Sequence, residues 1–372
     1  MMSPKICLNM IVKNEAHVIE RCLRSIKPFI HSWLICDTGS TDDTLAIIRR
    51  MLGDLPGVLL QRPWVDFATN RNEALANAAA HAEYGDYALI IDADDTLEAD
   101  PGFQWPVMTD DGYMLEIVDA GNTRYQRLAL PRLTPGLWSW KGVLHEYLTT
   151  GGPYQAYPRI QGVRILRLHN DGARSQLPQK EKFLNDAEIL RQGLLKEPRN
   201  ERYVFYLAQS YRDAGDLKNA IRTYERRVLM GGWSEEVYFS KLQIAKLTEQ
   251  LSYSWRGVAG KYLDAYSYRP TRAEAPCELA RYARLDDRFA LGRDFGRIAT
   301  LIESTNDVLF LDQSVYDWRS KDEWSISSYW CGEFAISRRL CLQLLKSPKL
   351  PKSERERVQK NLEFANSKLK RK

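Results

Sequence analysis

The sequence has no long apolar run. Its longest runs, such as residues 88–91 and the stretch around 6–12, are far shorter than the roughly 18 residues that a membrane-spanning helix needs. We therefore expect no transmembrane segment. Residues 1–5 contain one lysine and lead into no apolar core with a small-residue cleavage site, which predicts no secretory signal. The expected location is cytoplasmic, with peripheral association at the inner face of the membrane as a further expectation.

Paired cysteine motifs are also missing. None of the six cysteines belongs to a C-x-x-C pair, and most of them lie inside apolar segments. This pattern disfavours zinc sites and disulfide frameworks. It predicts buried free thiols at Cys7, Cys22, Cys36, Cys277, Cys331 and Cys341.

A large excess of charge of one sign is absent as well. The 372 residues carry 53 Lys and Arg against 48 Asp and Glu, for a net charge of +5. The composition, 44% hydrophobic and 27% charged, excludes collagen-like, disulfide-scaffold and wholly disordered classes. The small total hides an asymmetry, because residues 1–150 have a net charge of −7 and residues 151–372 have +12. The second part is therefore where an anionic acceptor or a membrane surface would bind.

Short apolar runs alternate with amphipathic segments up to about residue 95, which is typical of a βαβα arrangement. Such units usually form a mostly parallel sheet that binds ligands at the carboxyl ends of its strands. We therefore expect an α/β domain over residues 1–175. Its predicted strands are 6–12, 33–36, 58–61 and 87–91, and its predicted helices are 15–26, 41–52 and 69–83.

From residue 181 onward the periodicity becomes helical. Residues 201–234 match the helix-turn-helix repeat of tetratricopeptide type, whose period is about 34 residues, and degenerate copies follow. We expect an all-α tetratricopeptide-like domain at 176–305, then an aromatic segment and capping helices at 306–372. One of those helices is predicted at 323–345. The aromatic stretch 312–333 either folds over an acceptor cleft or caps the last helices, and capping is favoured.

Polar residues follow the predicted strands. Asp92 and Asp94 could bind a Mg²⁺ or Mn²⁺ ion that bridges phosphates, and the alternative is a helix cap or a solvated turn. Asp37 follows the second strand and could accept a hydrogen bond from a nucleotide base. Arg71 lies in the first turn of the third predicted helix and could fork onto a carboxylate or a diphosphate. A surface ion pair is an equal alternative for Arg71.

The order of these motifs resembles glycosyltransferase family 2 enzymes of the GT-A fold. The motifs are residues 10–15, 37–42, 71–72 and 92–94, and the resemblance covers roughly residues 1–170. It implies inverting transfer of a sugar from a nucleotide-diphosphate donor. By the same resemblance, Asn14, Glu15 and Asp37 hold the base, Asp92 binds the ribose, and Asp94 binds the metal-diphosphate group.

The resemblance also suggests a catalytic base and a second metal ligand. Residues 138–146 look like the V-H-E stretch of relatives of lipooligosaccharide core glucosyltransferases. Glu146, beside His145, is therefore the predicted base, and a Glu146 that merely faces solvent is an even alternative. GT-A enzymes often place a late histidine in the metal shell, which implies His169, with His145 as its competitor. The expected cofactor is Mn²⁺ or Mg²⁺.

The combination of this domain with a helical tail is similar to bacteriocin S-glycosyltransferases, whose tail mediates dimerisation and peptide recognition. We expect transfer from a UDP-sugar to a hydroxyl or thiol on a glycan, a lipid-linked glycan or a peptide, with homodimerisation through the helical domain. One alternative is a non-catalytic tetratricopeptide scaffold with a degenerate transferase domain. Another is a glycosyltransferase acting on modified DNA bases. Nucleic acid is disfavoured as a partner, because a lysine-rich terminal helix is usually a solvated face.

Overall fold

A computed structural model of the chain shows two compact units, Met1–Pro198 and Arg199–Lys372. The structure describes residues 3–119, 124–152, 156–168, 178–305, 307 and 309–369. The predicted domain boundary at 175 falls outside these ranges. Both predicted boundaries, at 175 and at 305, stay predictions.

The first unit is built around a parallel sheet of four strands in the order β3-β2-β1-β4. The strands are β1 (Ile6–Val12), β2 (Ser32–Asp37), β3 (Gly57–Gln61) and β4 (Tyr87–Ile90). The connecting helices are α1 (Ile19–Ile26), α2 (Thr44–Leu52) and α3 (Phe67–Ala79). Strands β1, β2 and β4 are buried almost throughout, as expected for a parallel sheet covered by helices. The predicted α/β class is confirmed.

A second sheet, which is mixed, has the order β5-β10-β6-β7. Its strands are β5 (Thr96–Ala99), β6 (Gly112–Asp119), β7 (Arg124–Pro131) and β10 (Arg159–Arg167). An antiparallel bridge between Tyr87 and Arg132 links β4 to the residue after β7. Strands β8 (Ser139–Lys141) and β9 (Tyr147–Thr149) form a separate hairpin, and α4 (Gln179–Lys196) ends the unit. The second sheet therefore extends from the β4 edge of the first.

Helices α1 and α2 begin later than the sequence pattern predicts, because the residues before them connect two loops. Several hydrogen bonds join the loop after β1 to the loop after β2, and three of them are donated by backbone N–H groups. The N–H of Asn14 donates to Ser40 Oγ at 3.0 Å, and the N–H of Thr41 donates to Asn14 Oδ1 at 2.7 Å. The N–H of Ala16 donates to Asp42 Oδ2 at 3.1 Å. The residues that would have formed first helical turns therefore shape the carboxyl edge of the sheet.

The second unit is helical. Helices α5 (Glu201–Asp213) and α6 (Leu217–Met230) form a helical hairpin around the fully buried Ala208, Ala220 and Tyr224. Gly215 makes the turn between them with φ +80°, a conformation that glycine adopts without strain. Helices α7 (Ser234–Gln250), α8 (Trp255–Tyr268), α9 (Glu274–Leu285) and α10 (Phe289–Leu301) continue the stack. The predicted tetratricopeptide-like helical fold is confirmed.

The aromatic segment packs inside this helical unit. A π-helical turn, Val315–Arg319, leads into α11 (Ser320–Trp330), followed by α12 (Phe334–Lys346) and α13 (Lys352–Leu369). Helix α11 lies so close to α10 that a Cβ atom at Gly296 would come within 2.7 Å of the backbone nitrogen of Trp324. The prediction of one helix over 323–345 is wrong, because Gly332 adopts φ +78° and separates α11 from α12.

The cysteines behave as the sequence predicts. All six are free, and five of them are buried, whereas Cys331 is only partly buried. Burial in apolar surroundings raises the pKa of the Cys7 thiol to about 11 and that of the Cys277 thiol to about 12. Both thiols therefore stay protonated near neutral pH and are structural rather than reactive.

Glu278 of α9 lies in an ion-pair network of the second unit. It is 5% exposed, and its carboxylate lies 2.7 Å from a nitrogen of Arg281, 2.7 Å from one of Arg319 and 3.6 Å from Lys246 Nζ. Burial alone would raise the pKa of Glu278, but these positive charges outweigh it and lower that pKa to about 2. Because the folded-state pKa is depressed, this carboxylate stabilises the fold above about pH 4.5, and the stabilisation is lost as the pH falls towards 2.

We expect Glu278→Gln to lower the free energy of unfolding by roughly 3 kcal/mol at pH 7, and by about half as much at pH 3. Urea unfolding followed by far-ultraviolet circular dichroism at both pH values measures the difference. Glu356→Gln is the matched control, because Glu356 is 80% exposed and pairs with Lys360 one helical turn away, where a pair contributes little. An equal loss at both pH values would show that the charge of Glu278 is not what stabilises the fold.

Candidate functional site

The end of β2 and the loop after β1 hold three of the predicted site residues. Asn14 adopts φ +56°, a left-handed conformation that few residues other than glycine tolerate. The N–H of Glu15 donates to Thr44 Oγ1 at 2.8 Å. The Asp37 carboxylate is 2% exposed and accepts hydrogen bonds from the N–H groups of residues 39 and 40 at 3.2 and 3.0 Å. Asn14, Glu15 and Asp37 thus lie at neighbouring strand ends, and their contact with a nucleotide base stays a prediction.

The turn after β4 carries Asp92, Asp94 and a third aspartate, Asp95. It is closed by the N–H of Asp95, which donates to the Asp92 carbonyl at 3.1 Å. Two residues of helix α1 contact the backbone of this turn. Cys22 Sγ lies 3.4 Å from the Asp92 carbonyl oxygen, and Arg21 donates to the Asp94 carbonyl at 3.1 Å. These contacts use backbone atoms, so the turn is fixed without engaging the carboxylates.

Arg71 of α3 bridges two of the predicted site residues. Its Nη2 lies 2.7 Å from Asp92 Oδ1, and its Nε lies 2.8 Å from Glu146 Oε1. The guanidinium carbon stands 5.1 Å from the centre of the Trp140 ring, a cation–π distance. The side chains of Arg71 and Glu146 are 11% and 14% exposed. A surface ion pair for Arg71 and a solvent-facing Glu146, the two alternatives left open by the sequence, are therefore both wrong.

Two further arginines approach Asp92, and the sequence pattern did not predict either of them. Arg127 Nη1 of β7 lies 3.6 Å from Asp92 Oδ2, and Arg167 Nη2 of β10 lies 3.7 Å from the same oxygen. Arg167 Nε also lies 3.9 Å from Asp95 Oδ1. In the sequence, each of these two arginines is only a charged residue within a strand of alternating pattern. Such a residue usually faces solvent.

The aspartates of the turn have different acidities. Burial alone would raise the pKa of Asp92, but the positive charges of Arg71 and Arg127 outweigh it and hold that pKa well below its usual range. Burial and the negative charge of Asp92 raise the pKa of Asp94, and they raise the pKa of Asp95 to about 7. Asp92 is therefore firmly ionised, whereas Asp94 and Asp95 carry negative charge that a cation would stabilise.

The residues around Asp94 fit a divalent cation shared with a ligand. Among the described residues, no group of three or more His, Cys, Asp or Glu could hold a metal ion by itself. Mg²⁺, however, is usually bound by one or two carboxylates together with substrate phosphates. Within the same ranges no cation pairs with the Asp94 carboxylate, and Asp95 Oδ2 is buried without a hydrogen-bond partner. The predicted ligand His169 lies outside the described residues.

His145 and Glu146 lie in the loop that connects β8 to β9. His145 is exposed and adopts φ +52°, and such backbone strain in a bulky residue is often found at functional sites. Asn14 and His145 are the only described residues of the first unit, apart from glycines, that have positive φ. Both belong to the predicted site.

Asn72 anchors the hairpin that carries Glu146. Its side-chain amide donates to the Trp140 carbonyl at 3.0 Å and accepts from the Trp140 N–H at 2.7 Å. The side chain therefore pairs with β8 as a neighbouring strand would. Trp140 is 8% exposed and packs with Leu75 and Ile90, so its ring belongs to the core rather than to a sugar-binding surface. Helix α3 thus holds the hairpin through Asn72 and holds Glu146 through Arg71.

We expect Asn72→Ala to lower the free energy of unfolding by about 2 kcal/mol, because two hydrogen bonds to a partly buried strand are lost. Hydrogen exchange in residues 139–149 should accelerate more than exchange in β1 or β2. Asn77→Ala is the control on the same helix, since the side chain of Asn77 donates to the Glu73 carbonyl of its own helix and, among the described residues, makes no hydrogen bond to the hairpin. Exchange rates in the hairpin equal to those of the unaltered chain would refute the anchoring role.

Two known proteins are similar to this chain over 94 residues each. A TPR repeat-containing protein of Synechococcus elongatus is 38% identical over 94 residues, which are 25% of this chain and 21% of that protein. The SPbeta prophage-derived glycosyltransferase SunS of Bacillus subtilis is 34% identical over 94 residues, 25% of this chain and 20% of SunS. The similarity thus spans about a fifth of the length of each of these two relatives.

One solved structure that aligns with this chain is S. aureus TarS 1–349 in complex with UDP-GlcNAc. The alignment covers 70% of this chain and 89% of that chain, at 13% identity and a TM-score of 0.34. A likeness of this size bears on neither ligand nor activity.

The segment that holds the strand-end residues also matches a known family. The Glycosyl transferase family 2 model matches residues 7–102, which include Asn14, Asp37, Arg71, Asp92 and Asp94. The match extends from β1 to β5, that is, over the parallel sheet and the turn after β4. Residues 7–102 of the first unit, the family 2 segment, are therefore similar to family 2 glycosyltransferases. Their parallel sheet is GT-A-like, and a tetratricopeptide-like helical unit follows the first unit.

Proposed function

We propose that this protein transfers a sugar from a nucleotide-diphosphate donor, a UDP-sugar, to an acceptor hydroxyl or thiol. The observation that carries the proposal is the position of Arg71. Within the family 2 segment, this one guanidinium links Asp92, at the carboxyl edge of the parallel sheet, to Glu146 of the β8–β9 loop. Residues expected to bind the donor are thereby joined to the residue expected to act on the acceptor.

The donor is proposed to lie along the carboxyl edge of the first sheet. Its base would occupy the edge formed by Asn14, Glu15 and Asp37, its ribose would contact Asp92, and its diphosphate would lie near Asp94. Support comes from the order of β2, β1 and β4 in the sheet, which sets these strand ends next to one another. Ligands of open α/β sheets bind at such strand ends.

Asp94 is the proposed protein ligand of a Mn²⁺ or Mg²⁺ ion, with His169 or His145 as the further ligand that the family resemblance implies. When bound, such an ion would neutralise charge on the departing nucleoside diphosphate. The raised pKa of Asp94 and the unpartnered oxygen of Asp95 support a cation at this turn.

Glu146 is the proposed general base. Its carboxylate would take the proton of the acceptor hydroxyl or thiol as the acceptor oxygen or sulfur bonds to the anomeric carbon, and the nucleoside diphosphate leaves with the electron pair of the broken bond. Attack from the side opposite the leaving group inverts the anomeric centre. Arg71 would hold Glu146 in position through its hydrogen bond to Oε1, and His145 is the neighbouring side chain that can contact the acceptor.

The acceptor is proposed to be a glycan, a lipid-linked glycan or a peptide. Homodimerisation through the helical unit, a cytoplasmic location and peripheral membrane association likewise stay predictions. In the ranges that the structure describes, no helix combines the length and the apolar character needed to cross a bilayer.

The activity can be tested with a panel of UDP-, GDP-, ADP- and dTDP-sugars, with Mn²⁺ or Mg²⁺ present, by measuring release of the nucleoside diphosphate. Mass spectrometry of cell extract incubated with the active labelled donor would then identify the acceptor. No release and no labelling with any donor would contradict the proposal and favour a non-catalytic scaffold. A salt-dependent shift of DNA in gel electrophoresis would instead favour an acceptor in DNA.

A further inference from the structure

We infer that Arg127 and Arg167 form a two-arginine site that binds the diphosphate of the donor. This inference rests on the proposed function and names the residues that would recognise the most highly charged part of its substrate. The two side chains come from β7 and β10, on either side of β6 in the second sheet. That sheet lies largely beyond the family 2 segment, which ends at residue 102.

The three arginines around Asp92 differ in how they are bonded. Arg71 makes two short hydrogen bonds, at 2.7 and 2.8 Å, and is therefore committed to Asp92 and Glu146. Arg127 and Arg167 lie 3.6 and 3.7 Å from Asp92 Oδ2. At these distances the charges attract, but no good hydrogen bond forms. The N–H groups of Arg127 and Arg167 are therefore not fully hydrogen-bonded to Asp92.

The remaining contacts of these two side chains support this difference. Arg127 Nε is buried and has no hydrogen-bond partner among the residues that the structure describes, and Arg127 Nη2 lies 3.5 Å from the Ile90 carbonyl oxygen. Arg167 Nε lies 3.9 Å from Asp95 Oδ1. Unpaired buried donors are rare, because each costs about 1–3 kcal/mol. The guanidinium of Arg127 is therefore not fully bonded by the described residues, and an anion with several oxygen acceptors would add hydrogen bonds to its terminal nitrogens and to those of Arg167.

The side chains of Arg127 and Arg167 are both partly exposed. They are 25% and 33% exposed, compared with 11% for Arg71. Both guanidinium groups approach the same oxygen, Asp92 Oδ2. They therefore lie close enough together to bind the two adjacent phosphates of one diphosphate. The planar guanidinium fork matches phosphate oxygens in pairs. A nucleoside diphosphate is therefore the ligand whose chemistry fits this pair.

The test compares binding of a nucleoside diphosphate with binding of the nucleoside alone. Calorimetric titrations with UDP and with uridine, in the presence and absence of Mn²⁺, are made on the full chain and on Arg127→Gln and Arg167→Gln. Each variant should bind UDP at least about tenfold more weakly, because a charge-assisted hydrogen bond is lost. Uridine should bind unchanged, and the loss should persist without Mn²⁺. Arg127→Lys and Arg167→Lys, which keep the charge but lose the fork, should give smaller losses.

Arg164→Gln is the matched control on β10. Arg164 pairs with Glu98 at 2.8 Å and with Asp100 at 3.2 Å, so its loss should leave UDP binding unchanged. UDP affinity that is unaltered in all four variants, or UDP and uridine affinities that fall equally, would overturn the inference and show that these arginines only neutralise Asp92. If the unaltered chain binds none of UDP, GDP, ADP and dTDP, the proposed function itself fails, so the two failures can be told apart.

Discussion

Replacing Glu146 by Gln is expected to lower kcat by a factor of roughly 10²–10⁴, the usual contribution of a general base. Glutamine has the same shape, and its carbonyl oxygen can still accept the hydrogen bond from Arg71 Nε that Glu146 accepts at 2.8 Å. It cannot take a proton from the acceptor. The affinity for UDP should therefore stay within a few-fold of the unaltered value, while turnover collapses. Steady-state kinetics with the active donor and calorimetry with UDP measure the two effects separately.

Two control variants make this result specific. Glu98→Gln removes an exposed carboxylate that pairs with Arg164, and it should leave kcat unchanged. His145→Ala tests the neighbouring side chain, which is exposed and would contribute less than the base. If His145→Ala abolished turnover while Glu146→Gln retained it, the roles of the two residues would be reversed.

Asp94→Asn is expected to reduce turnover by about 10³-fold and to abolish its dependence on Mn²⁺ or Mg²⁺, since a metal ion contributes several kcal/mol of charge stabilisation. The amide keeps the shape of the carboxylate but not its charge. The turn should stay folded, because its supporting contacts from Arg21 and from Asp95 are made with backbone atoms. Initial rates measured over a Mn²⁺ titration would show the loss of metal dependence, and circular dichroism would verify the fold.

Asp95→Asn is the sharpest comparison for this prediction, because the same change is made one residue further on. Burial and the charge of Asp92 raise the pKa of Asp95 to about 7. Asparagine therefore removes only the charge of the ionised form of Asp95, and the loss of turnover should be smaller than the loss caused by Asp94→Asn. Full turnover of Asp94→Asn in the presence of Mn²⁺ would remove the metal from the mechanism.

The strand-end residues could be predicted from the sequence because their signals are local. Asn14, Asp37 and Asp92 each follow a short apolar run, and parallel strands bring their carboxyl ends to one edge. Helix starts were less predictable. The side chains of Asn14 and Asp42 bond to the backbone of the opposite loop, so contacts between separate segments override the helical periodicity there.

Arg127 and Arg167 could not be predicted, because their roles depend on tertiary structure. Each lies in a strand where a charged residue usually faces solvent, and only the order of the second sheet brings both to Asp92. Asn72 is a similar case, since its two hydrogen bonds are made to Trp140, 68 positions further along the chain. A single sequence contains no pattern that reports such a pairing.

The single guanidinium shared by Asp92 and Glu146 makes the two ends of the site thermodynamically interdependent. A ligand that draws Asp92 away from Arg71 changes the hydrogen bond that Arg71 makes to Glu146, since both bonds start from one rigid, planar group. In a double-mutant cycle, changes at Asp92 and Glu146 should therefore not be additive, although the two residues belong to different loops. Binding of the sugar donor at Asp92 would in this way change the hydrogen bond between Arg71 and the base, Glu146, before the acceptor binds.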